Sequence, residues 1–231
     1  MIGIFDSGVG GLASFKEARK LLPREDIIYL ADSKNAPYGT KDRETIIKLV
    51  KSNLKILREM GADKILIACC TASSIHSELD TAEREISVPI IGPAVREALL
   101  SGEKIVTLST EYTAASHAFR DAALSLCKSA SVTEIAAQIL VSLVECGARD
   151  GGLLPREKEL IDKISDKIRS LSPSSLILGC THFSHLEGEF KTRLPSVNII
   201  NAATLGAREL VSIIKERPSE SGKTIYINHR L

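Results

Sequence analysis

The chain has 231 residues, 44% of them hydrophobic and 26% charged, with 30 Lys and Arg against 29 Asp and Glu for a net charge of +1. That length provides ample core for one large domain or two small ones, and the balanced charge excludes a broad basic surface for nucleic acid as the main business. No apolar run approaches the roughly 20 residues that span a bilayer, and the opening MIGIFDSG enters a strand pattern with no charged leader, so the expected setting is the cytosol, away from membranes.

In chain order, short apolar runs predict strands at 1–5 (MIGIF), 27–30 (IIYL), 64–68 (KILIA), 88–91 (VPII), 104–108 (KIVTL), 175–179 (SLILG), 197–200 (VNII) and 224–227 (TIYI). Longer amphipathic stretches separate most of them. In 41–60, for example, Ile46, Leu49, Val50, Leu54 and Leu57 recur at helical spacing. Strands apolar on both faces, alternating with helices, imply parallel sheets covered by helices, an α/β architecture. The stretches 124–134 (LSLCKSASVTE) and 147–152 (GARDGG) read as loops.

The first strand leads into GIFDSGVGGL, which invites a dinucleotide-binding reading, with Asp32 at a suitable distance for a ribose. The pattern fails at its third glycine, because position 13 is Ala13. Asp6 also places a carboxylate where pyrophosphate would bind. The competing reading displays Asp6 and Ser7 as polar site residues at a strand end, with glycines letting the backbone approach a small ligand.

Two further strands end in thiols. ILIACCTAS (65–73) and LILGCTHFS (176–184) share one device: apolar run, cysteine, threonine, polar helix start. Ligands of parallel sheets bind outside the carboxyl ends of strands, so both thiols stand where a site belongs. The five cysteines, at 69, 70, 127, 146 and 180, show no metal-type CxxC spacing and suit a reducing compartment. Cys127 and Cys146, on predicted helices, read as small buried apolar residues.

The ordered segments FDSGVGGL, LADSKNAPYGTK, ACCTAS, LSTEYTAASHAF, LVECG and LGCTHFSHL resemble the signature segments of glutamate racemases, within the aspartate/glutamate racemase superfamily, across nearly the whole chain. The resemblance implies two pseudo-symmetric α/β domains with the active site between them: 1–92 plus 206–231, and 93–205. It implies inversion of an amino-acid α-carbon by two thiols, Cys69 and Cys180, one removing a proton from one face and the other delivering a proton to the opposite face. Each thiol then needs a lowered pKa, which a helix N-terminus can supply. By the same resemblance Asp6 assists the first thiol and His182 the second. Ser7, Thr71 and Thr181 hold the α-carboxylate, Pro37, Tyr38 and Gly39 belong to the segment that closes over the substrate, and Glu145 lies near the second thiol. No metal, pyridoxal phosphate or nucleotide is implied. The implied partner is a small amino acid, and the implied role is to supply D-glutamate for peptidoglycan. Oligomeric state is left open, a homodimer included.

The chain departs from the family where Ala-Cys-Asn-Thr-Ala reads Ala68-Cys69-Cys70-Thr71-Ala72. A thiol is a poor substitute for an amide in hydrogen bonding. Cys70 thus marks altered recognition or, since Cys70-Thr71 aligns with Cys180-Thr181, an alternative first base. Adjacent residues at a strand end point apart, so only one of the two is expected to face the substrate, with Cys69 preferred. The family's Ala-Cys-Pro reads Ala136-Ala137-Gln138, its Pro before Leu-Val-Glu is Ser142, and Ser184 replaces a further Pro; these changes read as drift in loops and lids. Two other readings stay open: the same chemistry on aspartate or another small acid, and a degenerate binding or regulatory protein.

Overall fold

β-Branched and aliphatic runs buried on both faces form the inner strands, and among the described residues every strand pairing is parallel. The computed structural model describes residues 1–146, 152–214 and 221–228, without the side chain of Cys146. One sheet contains β1 (Ile2–Asp6), β2 (Ile27–Ala31), β3 (Lys64–Ile67), β4 (Ser87–Pro89) and β9 (Thr224–Asn228) in the order β4-β3-β1-β2-β9. The other contains β5 (Lys104–Ser109), β6 (Ser131–Ala136), β7 (Ser175–Gly179) and β8 (Asn198–Asn201) in the order β6-β5-β7-β8. Helices flank both sheets, as the α/β expectation required.

Among the described residues, three apolar clusters hold these layers. The helix Arg43–Glu59 buries Ile46, Val50, Leu54 and Leu57 against one face of the first sheet. The helices Gln138–Cys146 and Pro155–Leu171 bury Leu140, Val141, Ile161 and Ile168 against the outer face of the second. A third cluster is shared: Ile4 and Leu66 of the first sheet, Ile105 and Ile177 of the second, and Ala94 and Leu210 of the helices Ile91–Leu100 and Ala202–Ile213. The two halves are therefore joined by apolar packing, which favours burial at roughly 25 cal/mol per Å².

Two local expectations are corrected. The stretch 124–134 is not a loop: the helix Ala118–Leu126 ends there and β6 begins at Ser131. Its exposed and half-buried alternation marks an edge strand, whose few apolar residues hide the strand signal. The run 88–91 is not all strand, because Pro89 closes β4 and Ile91 starts a helix. Cys127 lies just past a helix end, half-buried, with its sulfur 3.3 Å from Ser129 Oγ, and so is not a core residue. The expected turn at 147–152 lies outside the described residues except for Gly152. Among the described residues no helix is long and apolar enough to cross a membrane.

Candidate active site

The carboxyl ends of β1, β2 and β3 face those of β5, β6 and β7 across a narrow cleft. Asp6 closes β1, Thr110 follows β5, Gln138 follows β6, and the two thiols follow β3 and β7. Cys69 and Cys180 occupy the same structural position: each is the extended residue that immediately precedes a short helix, Cys70–Ser73 in one case and the 3-10 segment Thr181–Leu186 in the other. This equivalence pairs Cys180 with Cys69 and not with Cys70. Ser7, Pro37, Tyr38, Gly39, Cys69, Cys70, Thr71, Glu145, Cys180, Thr181 and His182 all line the cleft, and Asp6 lies buried directly behind it.

Most polar groups of the site are met by another of its members, with Gln138 Oε1 and His182 Nε2 left without a hydrogen bond. Ser7 Oγ lies 3.3 Å from Cys69 Sγ. Asp6 accepts from the Gly8 amide at 2.8 Å and, across the cleft, from Thr181 Oγ1 at 3.0 Å. His182 Nδ1 stands 3.7 Å from Cys180 Sγ, and its Nε2 is 3.2 Å from Glu145 Oε1, within ion-pair reach but not aligned for a hydrogen bond. Thr71, Thr110 and Thr113 close a ring of hydroxyls with edges of 2.9, 3.0 and 2.8 Å. The room left over is about 20 Å³, enough for one water centre.

Glycines of the loops that follow β1 and β2 explain how two walls come this close. A Cβ on Gly10 would stand 2.6 Å from Thr181 Oγ1 and 2.9 Å from the His182 amide; one on Gly39 would stand 2.5 Å from Thr110 Cβ. These glycines permit close approach between the two halves, and no phosphate is needed to account for them. Asp32, the would-be ribose ligand, is buried beneath the cleft. It accepts from Tyr38 Oη at 2.5 Å, from Asn35 at 2.9 Å and from Asn53 at 3.2 Å. Tyr38 thus spends its hydroxyl on the scaffold, which leaves the Pro37-Tyr38-Gly39 backbone to face the cleft. The Ala36–Pro37 peptide is cis.

Burial reverses the expected ionisation of the thiols. Cys69 is pushed up to about 11 by desolvation and by Asp6, against the Ser7 hydroxyl and the Ala72 and Ser7 amides, which pull it down. Cys180 is raised further, by desolvation and then by Cys69, despite the His182 and Phe183 amides. Burial also raises Asp6, against the attraction of His182 and its hydrogen bonds. The expectation of lowered thiol pKa values is therefore corrected: in the closed cleft burial outweighs the helix-start amides. Cys69 remains the easier of the two to ionise.

The expectation that only one of the adjacent cysteines faces the cleft is corrected: Cys70 also lines it, while it packs in the shared core with Leu66, Ala68 and Ile90, and burial raises its pKa well above the ordinary thiol value. Cys69 instead belongs with Tyr38 and Ala72 and meets Ser7. Sequence reasoning did not single out Thr110, Thr113 or Gln138. The first two stood within a signature segment, and the strand-end position of Thr110 was the signal that could have found it. Gln138, read as loop drift, lines the cleft. Among the described residues no group of three or more His, Cys, Asp or Glu side chains is arranged to hold a metal ion.

The sequence matches the Asp/Glu/Hydantoin racemase family over residues 13–210. Over 225 residues it is 33% identical to a glutamate racemase of Aquifex aeolicus, covering 95% of this chain and 85% of that protein. Its fold is similar to a glutamate racemase isoform of Bacillus anthracis, with a TM-score of 0.87 and 26% identity over 99% of this chain and 87% of that one. A glutamate racemase of Francisella tularensis, solved with D-glutamate, matches with a TM-score of 0.87 and 26% identity over 100% of this chain and 88% of that one.

Proposed function

Because the chain belongs to the Asp/Glu/Hydantoin racemase family, and is a racemase, we propose that it interconverts L- and D-glutamate by proton transfer between Cys69 and Cys180. The observation that carries this reading is the equivalent placement of the two thiols at facing strand ends, one from each sheet, in one cleft. A base on one face of the α-carbon and an acid on the other is the arrangement that inversion requires. We assign residues 1–92 with 206–231 to one lobe and 93–205 to the other, so that each lobe brings one thiol.

In the reaction, one sulfur arrives as thiolate and the other as thiol. The thiolate takes the α-proton, so that the C–H bond breaks, an S–H bond forms, and the electron pair spreads into the α-carboxylate. The opposite S–H then gives its proton to the other face of the carbon. Net, one sulfur has gained a proton and the other has lost one. Ser7, Thr71 and Thr181 donate to the carboxylate as charge develops on it. Asp6, whose raised proton affinity lets it carry a proton, and His182, 3.7 Å from Cys180, reset the thiols. The substrate ammonium, entering the cleft as a cation, favours the thiolate that burial disfavours.

The setting we propose is the cytosol, and the product's use is the supply of D-glutamate to peptidoglycan. Support comes from the relatives being glutamate racemases. A second reading, aspartate as substrate, is favoured by one observation: Cys70 in the cleft where the resembling family has asparagine. Turnover assays with both enantiomers of glutamate and of aspartate decide between them, and activity on aspartate alone would replace the glutamate reading.

A further inference from the structure

The helix Gln138–Cys146 turns one stripe to the cleft: Gln138, Val141 and Glu145, at i, i+3 and i+7. Glu145 serves the end where His182 stands beside Cys180. Gln138 lies two turns away, about 10 Å along the axis at 1.5 Å per residue. There its Oε1 comes within 2.6 Å of the Cβ position of Gly39, beside Thr110. That oxygen is buried and has no hydrogen-bond partner. Leaving such a group unpaired is costly, so a buried orphan in a cleft calls for a partner that arrives with the ligand.

We propose that Gln138 is a substrate-positioning residue whose side-chain amide binds the carboxylate at the far end of a dicarboxylic amino acid. This rests on the racemase reading and names the part of the substrate that the site recognises. With no partner fixing it, the amide can turn its NH₂ inward by a half-turn of its last torsion. The nearby Thr110 and Thr113 hydroxyls bond to each other and to Thr71, and they are donors that this far carboxylate can recruit. The distance of Gln138 from the Cys180 end places it beyond the α-carbon, at the side-chain end of the substrate. Cys70, on the opposite wall, lacks the amide that asparagine would bring. The position after Ala136-Ala137, proline in the resembling family, brings one here instead. The amide has moved from one wall of the cleft to the other.

Three variants test this: Gln138→Met, which keeps the length and removes the amide; Gln138→Glu, which sets a like charge against the carboxylate; and Gln138→Met with Cys70→Asn. A lost hydrogen bond to a charged group predicts a glutamate KM about tenfold or more higher in Gln138→Met, with kcat within about twofold. Gln138→Glu should raise KM further, and the double variant should recover most of the loss. An unchanged KM in Gln138→Met, or a loss confined to thermal stability, would overturn the assignment. If the parent enzyme proves to turn over aspartate instead, the glutamate reading fails, while the same KM comparison with aspartate still decides the role of Gln138.

Discussion

At the residue scale, the site depends on the ionisation of two thiols that their surroundings oppose. Cys69 is pushed up to about 11 by burial, and Cys180 is raised more. The thiolate fraction of the free enzyme is therefore small at neutral pH and grows with each proton removed. Since kcat/KM reports the free enzyme, it should rise close to tenfold per unit between about pH 6.5 and 8.5, below the ionisation of the substrate ammonium. A profile flat across that interval would show that the thiolate is already formed. Asp6 belongs to the same scale. It couples the two halves through Thr181, and Asp6→Asn keeps that shape while losing the ability to accept a proton as a carboxylate. A fall in kcat of about 10²-fold or more is the general acid–base magnitude expected, with KM little changed.

At the element scale, the strand ends and the loops that leave them set the geometry. Gly10→Ala would press a methyl group onto the Thr181 hydroxyl and the His182 backbone. Overpacking of this kind costs about 1–3 kcal/mol, and here it also separates the loop bearing Asp6 from the loop bearing Cys180. Calorimetry should show a lowered midpoint, together with a loss of kcat larger than the loss of stability explains. Much of this level was legible in the sequence. The runs at 27–30, 64–68, 104–108 and 175–179 became strands because their residues are apolar on both faces. The thiols were visible because polar groups do not belong at the end of such runs without a use. What escaped lies where that logic weakens. β6 is an edge strand with few buried side chains, so its composition resembles a loop. Gln138 follows that strand, and its place in the cleft depends on β6 pairing with β5, which no local pattern reports. The thiol pKa values escaped for a related reason: helix-start amides can be read from sequence, but the burial that outweighs them depends on how closely the two halves meet.

At the scale of the whole molecule, the closed cleft admits one water, and glutamate is far larger. The walls must part for substrate to enter. The shared apolar cluster, with Ala94, Ile105, Ile177 and Leu210, ties the sheets together away from the cleft, whereas the cleft itself is closed by hydroxyl contacts and glycine approaches. Opening should then be confined to the cleft loops. Hydrogen exchange is expected to show fast amides at residues 7–11 and 36–40 that slow with glutamate bound, while the helices Ile91–Leu100 and Ala202–Ile213 stay protected in both states. Burial of the thiols also links folding to pH. A folded-state pKa above the ordinary value contributes stability that is complete below the unfolded pKa, 9.0, and is lost as pH rises through the folded value of about 11 for Cys69. The melting temperature should therefore fall between those limits, and fall less in Cys69→Ser.

The central claim is that Cys69 and Cys180 exchange the α-proton of glutamate from opposite faces. It is tested most directly by proton NMR of L- and D-glutamate in deuterium oxide, with the parent protein and with Cys69→Ser and Cys180→Ser. The parent should exchange the α-proton of both enantiomers, each variant should lose racemisation, and an enantiomer should no longer exchange at full strength once the thiol on its face is gone. Full racemisation by either variant, or an absence of exchange with any amino acid offered to the parent, would contradict it.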